Sequence, residues 1–313
     1  MREVILVTLL FSYLGASILY LAVKLKTNNY LSLINRLLGK KAGYFFDLLS
    51  MAMLLGGLSV MFSGSGAVFE EHLKIDAWLG IALVALINGV VMLKGLHGVL
   101  WINAILVPVK ITAIFILCLL VIHTQNKTGC LPDPGQPVEK IFRSWVWSGI
   151  LYVSYNMMLV LAVLATLGKS ISITKAAAGG VIGGVGLGLT AGIMCLAGIA
   201  LWPKILAYKV PTIYMAGMIH ESIKLPIGLL IWLAILTTAV ANTHGLAARI
   251  AAPGSIKYKL AGLCVTLLAI PLSLVDFDRL VNTIYPVFGY AGLVIIAALL
   301  LAPPAMAFIK RNN

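Results

Sequence analysis

Lys110 lies inside the apolar run Val99–Ile122, at a depth where an ammonium group costs about 3 kcal/mol in hydrocarbon. It must therefore face a partner or a water-filled cavity. Two kinds of chemistry suit it. It could gain and lose a proton as a cavity opens to either side, or it could stand as a fixed positive charge in place of a bound cation. An anionic solute or a purely structural partner would also satisfy it. Pro108, two residues earlier, is expected to kink that helix and free a carbonyl nearby.

Three further groups of polar residues interrupt apolar segments. The run Trp145–Leu167 carries Ser148, Tyr152, Ser154, Tyr155 and Asn156. An asparagine in a membrane span brings a donor and an acceptor that must be matched within the protein. Ser154, Tyr155 and Asn156 are thus candidates for contacting a solute, and equally for fastening two helices. Thr237 and Thr238 offer hydroxyl oxygens, the ligands a small hard cation requires; each could instead bond its own helix backbone four residues back. His244 follows them as a candidate proton acceptor, with plain solvation beside Arg249 the competing reading. Ser63, among Ser59, Gly64, Ser65 and Gly66, either lines a solute cavity or lets helices approach closely.

Covalent chemistry finds no support. HExxH, GxSxG and paired intramembrane carboxylates are all absent, so the chain does not read as an enzyme. Asp276 and Asp278 sit in a turn, where solvated charge is the expected state. The four cysteines (Cys118, Cys130, Cys195, Cys264) form no CxxC or Cys/His cluster, and no metal, disulfide framework or cofactor is expected. The series Gly180, Gly184, Gly188 and Gly192 repeats every four residues through an apolar span. It predicts a smooth face for tight helix packing, not a phosphate loop, because no strand precedes it and no Gly-Lys-Ser/Thr ends it.

The elements that must position these residues are membrane helices. Of the 313 residues 61% are hydrophobic and 11% charged, with mean hydropathy +1.04; a soluble domain is about 45–50% apolar and about 25% charged. Nine apolar runs are long enough to cross a bilayer: Val4–Val23, Tyr44–Phe69, Trp78–Leu93, Val99–Ile122, Trp145–Leu167, Ala176–Trp202, Ile227–Ala248, Leu260–Val275 and Ile284–Ile309. Trp78, Trp101, Trp145, Trp147 and Trp202 fall near their ends, as interfacial anchors do. The first run lacks a basic stretch or cleavage site and reads as a span, not a signal peptide.

Counting charge sets the orientation. Thirteen of the 23 basic residues fall on the side holding Lys24–Lys41, Lys94, Lys257 and Lys310, and nine on the other, with Lys110 between. Nine of the ten acidic residues lie on that other side, and Asp47 alone begins a span from the basic one. The basic side is expected to be cytoplasmic, with the N-terminus outside and the C-terminus inside. The net charge of +13 is thus a topology signal, with no nucleic-acid partner implied.

The order of the spans suggests duplication. The first is followed by an amphipathic segment, Tyr30–Leu38, with Leu31, Ile34, Leu37 and Leu38 at helical spacing, expected to lie in the interface plane. A long span and two more come next. The sixth is likewise followed by a part-polar segment, Pro211–Ser222, and three spans. Because the fifth span intervenes, the two series start from opposite sides, the pattern of an inverted repeat. On this reading residues 1–122 are an incomplete first copy, 123–143 an extracellular loop and 144–313 the second copy. Completing the symmetry requires one further span before Met1.

Leu10-Phe-Ser-Tyr-Leu-Gly15, Tyr30–Gly39, Tyr152-Val-Ser-Tyr-Asn-Met157 and Thr237-Thr-Ala-Val-Ala-Asn-Thr-His-Gly245 resemble the bacterial YkvI-like membrane proteins, a family near the amino acid–polyamine–cation transporters with their LeuT-like architecture. The resemblance covers nearly the whole chain. It implies an all-α integral membrane protein with a LeuT-like 5+5 inverted repeat lacking its first transmembrane helix, leaving nine spans. Family members open with a glycine-rich helix that this sequence does not contain; Gly15-Ala-Ser17 belongs to the helix that would follow it. In LeuT-like transporters that helix supplies half of the solute and cation sites, so those positions cannot be carried over. The resemblance further implies that Ser154, Tyr155 and Asn156 sit in a broken helix, that Lys110 replaces a sodium ion, and that Thr237 and Thr238 face it.

The expected function is secondary active transport across the bacterial cytoplasmic membrane. A small organic solute, with amino acids and amines among the candidates, would move by alternating access in symport with a proton or a cation such as sodium. The competing reading is a truncated, non-transporting membrane protein with a scaffold or sensing role.

Overall fold

A computed structural model describes residues 2–27, 30–94, 97–128, 145–165, 168 and 171–311, with backbone alone at 2, 97–104, 126–128, 162–163 and 302–311. Cys130, Lys140, Arg143, Lys169, the side chains of Trp101 and Lys127, and most of the 123–143 loop lie outside the described residues. The described residues form eleven α-helices: α1 (Arg2–Lys24), α2 (Tyr30–Leu38), α3 (Lys40–Val68), α4 (Ala77–Lys94), α5 (His97–Thr128), α6 (Trp145–Leu164), α7 (Ile173–Ala200), α8 (Pro211–Ile219), α9 (Glu221–Ile250), α10 (Ile256–Ser273) and α11 (Phe277–Arg311). A π-helical turn, Phe69–Leu73, continues α3. Eight helices are long and apolar enough to cross a membrane, and α6 adds a shorter apolar one, Trp145–Leu161. The nine expected spans are all present as helices.

Local chemistry sets the ends of several helices. Gly39, at φ +83°, turns the chain between α2 and α3, and Gly254, at φ +88°, does so before α10, in the left-handed region that glycine enters without steric cost. Ser255 caps α10 by accepting the Tyr258 N–H, and the His220 imidazole caps α9 by accepting the Ser222 N–H. Pro211 opens α8, where its missing N–H leaves no bond unmade.

Helix lengths repeat along the chain. The series α1, α2, α3, α4, α5 has 23, 9, 29, 18 and 32 residues. The series α7 to α11 has 28, 9, 30, 18 and 35. This long–short–long–medium–long order, with α6 between the series, is the pattern an inverted repeat produces.

By packing the chain divides into two compact units that cut across both series. The first comprises residues 1–53, 138–192 and 284–313. Its core joins Leu14, Ile18 and Leu21 of α1, Leu33 and Ile34 of α2, Met158 and Leu161 of α6, and Leu299 of α11. The buried face of α2 runs through Tyr30, Leu33 and Ile34. Of the residues expected at helical spacing, Ile34 is buried, Leu37 and Leu38 pack against the core and Leu31 is half-buried, while the Tyr30 hydroxyl donates to the Phe46 carbonyl. The four-residue glycine series behaves as expected. A Cβ on Gly180, Gly184 or Gly188 would run into Ala16, Ser12 or Thr8 of α1, and one on Gly192 would touch Val4. Gly179, Gly183 and Gly186, on the other side of α7, have nothing within 4 Å.

The second unit comprises residues 54–137 and 193–283. Within it α9 packs against α4, α5, α8 and α10, and α4 packs against α10. Glycines again set the closest approaches: Gly80 of α4 rests on the Ser65 backbone and Gly64 on the Phe277 ring. Cys118 is buried in this unit's core, whereas Cys264 of α10 and Cys195, just inside α7, are exposed, so only the first fills the expected role of a core hydrophobe. Trp78, Trp145 and Trp147 are exposed at helix starts, and Trp232 packs inward on Phe69.

The glycine face yields a directional test. Gly184→Val should destabilise the protein by about 1–3 kcal/mol through overpacking, seen as a lower thermal unfolding midpoint in detergent. Gly183→Val, one position away on the open side, should leave that midpoint nearly unchanged.

Candidate functional site

In the first unit the expected solute-contacting residues lie on α6, and α6 is regular throughout Trp145–Leu164. The break expected around Ser154–Asn156 is absent. Ser154, fully buried, donates to the Gly289 carbonyl of α11 at 2.6 Å. That approach is possible because Gly292, one turn on, has no side chain: a Cβ there would lie 2.5 Å from the Ser154 Oγ. Asn156 donates from Nδ2 to the Tyr152 carbonyl of its own helix at 2.8 Å. Its Oδ1 is left out of that bond.

Tyr155 belongs to an aromatic ladder. It stacks on Tyr285 of α11 with centroids 4.8 Å apart and meets Tyr152 edge-on at 5.5 Å; Tyr152 in turn meets Phe11 edge-on at 5.8 Å. Edge and offset contacts of this kind add about 0.5–1.5 kcal/mol each beyond area burial. The ladder places the Tyr155 phenol beside the Asn156 amide.

In the second unit Lys110 is half-buried on α5. The buried positions of that helix are Leu106, Leu117, Cys118 and Val121, while Ile105, Val109, Ile111 and Ile116 are exposed. Lys110 follows Leu106 by four residues and precedes Leu117 by seven, so it belongs to the packed stripe and not to the outward one. Among the described residues its ammonium makes no hydrogen bond or ion pair. The helix carries Pro108 without interruption.

The Thr237 and Thr238 hydroxyls both donate to the Ala234 carbonyl, at 3.2 and 2.7 Å, on α9, which packs against α5. Donating to the backbone leaves the lone pairs of each oxygen free, so this geometry is compatible with a cation ligand. Ser63 donates to the Val275 carbonyl at 2.9 Å and fastens α3 to the end of α10. His244 is not simply solvated: its Nδ1 lies 2.6 Å from the Tyr258 hydroxyl of α10.

Sequence reasoning passed over the most enclosed polar cluster of this unit. Asn88 of α4, fully buried, donates from Nδ2 to Thr243 of α9 at 2.9 Å and to Thr266 of α10 at 2.8 Å. Each threonine donates onward to its own helix backbone. The signal was available, since Asn88 is an amide in an apolar span, as Asn156 is. The acidic end of α3 was also missed. Lys209 donates to Glu70 at 3.2 Å and lies 3.9 Å from Asp276, while the Val210 N–H donates to Glu71 at 3.1 Å. The bond to Glu70, with the nearby carboxylates, holds the Lys209 ammonium above the ordinary lysine range.

Two outcomes follow. Asn88→Ala should cost about 1–2 kcal/mol by removing two interhelical bonds, read as a lower unfolding midpoint in detergent. Because the folded state raises the lysine's pKa, the Lys209 clamp stabilises fully below the ordinary lysine pKa and loses that contribution as pH rises through the folded value. Lys209→Gln should therefore flatten the loss of stability in this strongly alkaline window, measured by thermal unfolding against pH.

Comparison with known proteins sets these units in context. No protein-family model matches the chain. It is 29% identical over 294 residues to the membrane protein YkvI of Bacillus subtilis (strain 168), covering 93% of this chain and 83% of YkvI. It is 24% identical over 307 residues to YyaD of the same organism, covering 96% and 87%. Among solved structures it is similar to the inward-facing conformation of Mhp1, with a TM-score of 0.58 at 16% identity, over 94% of this chain but only 66% of that one. The chain is thus similar to YkvI and YyaD over nearly its whole length and shares the all-α fold of Mhp1.

Proposed function

We propose that this protein is a secondary active transporter of a small organic solute of the amino acid or amine class, driven by a proton or cation gradient. The observation that carries the reading is the similarity of 94% of the chain to a LeuT-type transporter. A fold shared with a transporter does not by itself imply transport, so the side chains matter. The first unit offers Tyr155 and Asn156, a phenol and a partly free amide, for solute binding. The second carries Lys110 on the packed stripe of α5, with Thr237 and Thr238 on the helix packed against α5, for coupling. Ser154 and Ser63 hold helices together, and His244 is committed to Tyr258.

In this reading the repeat copies are residues 1–122 and 144–313, joined by a loop outside the membrane. The side bearing Lys24, Lys94, Lys257 and Lys259 is cytoplasmic, and the membrane is the bacterial inner membrane. No covalent step is required. Binding energy and the gradient together shift the population of states open to either side.

Uptake by protein reconstituted in vesicles tests this proposal. Amino acids and amines are screened under an imposed proton gradient and, separately, a sodium gradient. A substrate should accumulate only when one gradient is present. Lys110→Met should abolish that accumulation at an unchanged yield of folded protein, and Thr237→Val with Thr238→Val should weaken it at least tenfold. Gradient-independent behaviour with every solute would remove the transporter reading, and full uptake by Lys110→Met would remove the lysine from it.

A further inference from the structure

The second unit holds a half-open cavity of about 420 Å3 in which no residue named above as a solute or coupling candidate takes part. Its size falls in the range of about 300–1,000 Å3 typical of small-molecule sites. It lies where the π-helical end of α3, the middle of α4 and the start of α9 meet. Its wall is mostly aliphatic: Leu73, Leu83, Leu225 and Leu229 all line it, and all four are exposed at its mouth. Trp232 closes its floor, held by donating its indole N–H to Ser65 at 2.8 Å.

The polar groups gather at one end. His72 is 12% exposed, and its Nε2 has no hydrogen-bond partner. The nearest carboxylate oxygen, on Glu71, is 3.9 Å away, beyond hydrogen-bonding reach. Lys224 donates to Glu221 at 2.8 Å, which uses one of its three N–H groups. Its stem lies across Gly217 of α8, where a Cβ would meet it and displace it. A π turn is a rare geometry found often at functional sites, and this one carries His72.

Depth identifies what fits. His72 is in the last turn of one span and Lys224 in the first turn of another, the level of lipid headgroups. Leu229 is five residues beyond Lys224, about 7–8 Å further into the hydrocarbon. A bilayer lipid brings both complementary parts at the right heights: an acyl chain for the leucines and phosphate oxygens for the unused donors of Lys224 and His72. We propose that this cavity is a phospholipid site, with one acyl chain against Leu83, Leu225 and Leu229 and the phosphate between Lys224 and His72. The inference needs only the membrane location of these helices and is independent of the transport reading.

Native mass spectrometry of the purified full chain tests it. Protein in mild detergent is incubated with dioleoyl phosphatidylglycerol, with dioleoyl phosphatidylethanolamine, with dioleoylglycerol, which has the same chains and no phosphate, and with glycerol phosphate, which has no chains. Either phospholipid should remain bound through activation energies that strip the other two. Lys224→Met should weaken retention about tenfold or more, as expected for loss of one charge-assisted contact. Leu229→Trp should abolish it by filling the cavity, and Gly217→Ala should weaken it by displacing the Lys224 stem. Unchanged unfolding midpoints show that the variants fold; should one fail to fold, the other two and the ligand series still decide. Retention of dioleoylglycerol equal to that of the phospholipids, binding of glycerol phosphate alone, or unchanged retention by the folded variants would overturn the proposal.

Discussion

Inside a bilayer every polar group must find its partner within the protein, since the solvent offers none. This constraint shapes the chain more than any single contact. Many of its intramembrane polar groups are turned to carbonyls or to one another: Ser154 to Gly289, Ser63 to Val275, Ser65 to Gly80, and the Asn88 Nδ2 to Thr243 and Thr266. Apart from Ser65 to Gly80, each of these bonds joins segments more than 130 residues apart, so each also selects which helices lie side by side. Residues that would be expensive alone thereby become the specificity of the packing.

The second organising factor is absence of bulk. Lipid tails are as apolar as leucine, so burial alone gives helices little reason to associate, and close backbone approach takes over. Gly180, Gly184 and Gly188 bring α7 onto α1 in the first unit. Gly64 and Gly80 do the same for their helices in the second. Where a glycine allows a helix to come near, a serine often makes use of the approach, as Ser154 does beside Gly292 and Ser65 beside Gly80.

Against that background of satisfied groups, the exceptions carry the functional argument. Lys110 lies on the packed stripe of α5 with no bond from its ammonium among the described residues. Asn156 has bonded only its amide nitrogen to its own helix. The His72 imidazole is enclosed and unbonded beside an aliphatic groove. Groups with spare bonding capacity in an otherwise closed structure are where a solute, a proton or a lipid headgroup can be received.

The helices were legible from the residues alone. Nine apolar runs became helices, eight of them long enough to cross a membrane, and the amphipathic Tyr30–Leu38 became α2, because run length and helical spacing are local properties that hydrocarbon enforces directly. The glycine series announced its packed face for the same reason: four residues of spacing keep one side of a helix bare. What no local pattern contained was the partner of each polar side chain. The resemblance implied a broken α6, yet the helix is whole, and Gly289 of α11, far along the chain, gives Ser154 a carbonyl. Asn88 went unnoticed because its meaning depends on Thr243 and Thr266, on α9 and α10, 155 and 178 residues further along the chain. Whether a polar residue serves as a fastener or remains open to a ligand is decided by a neighbour brought up through tertiary packing, and spacing along one helix carries no information about that neighbour.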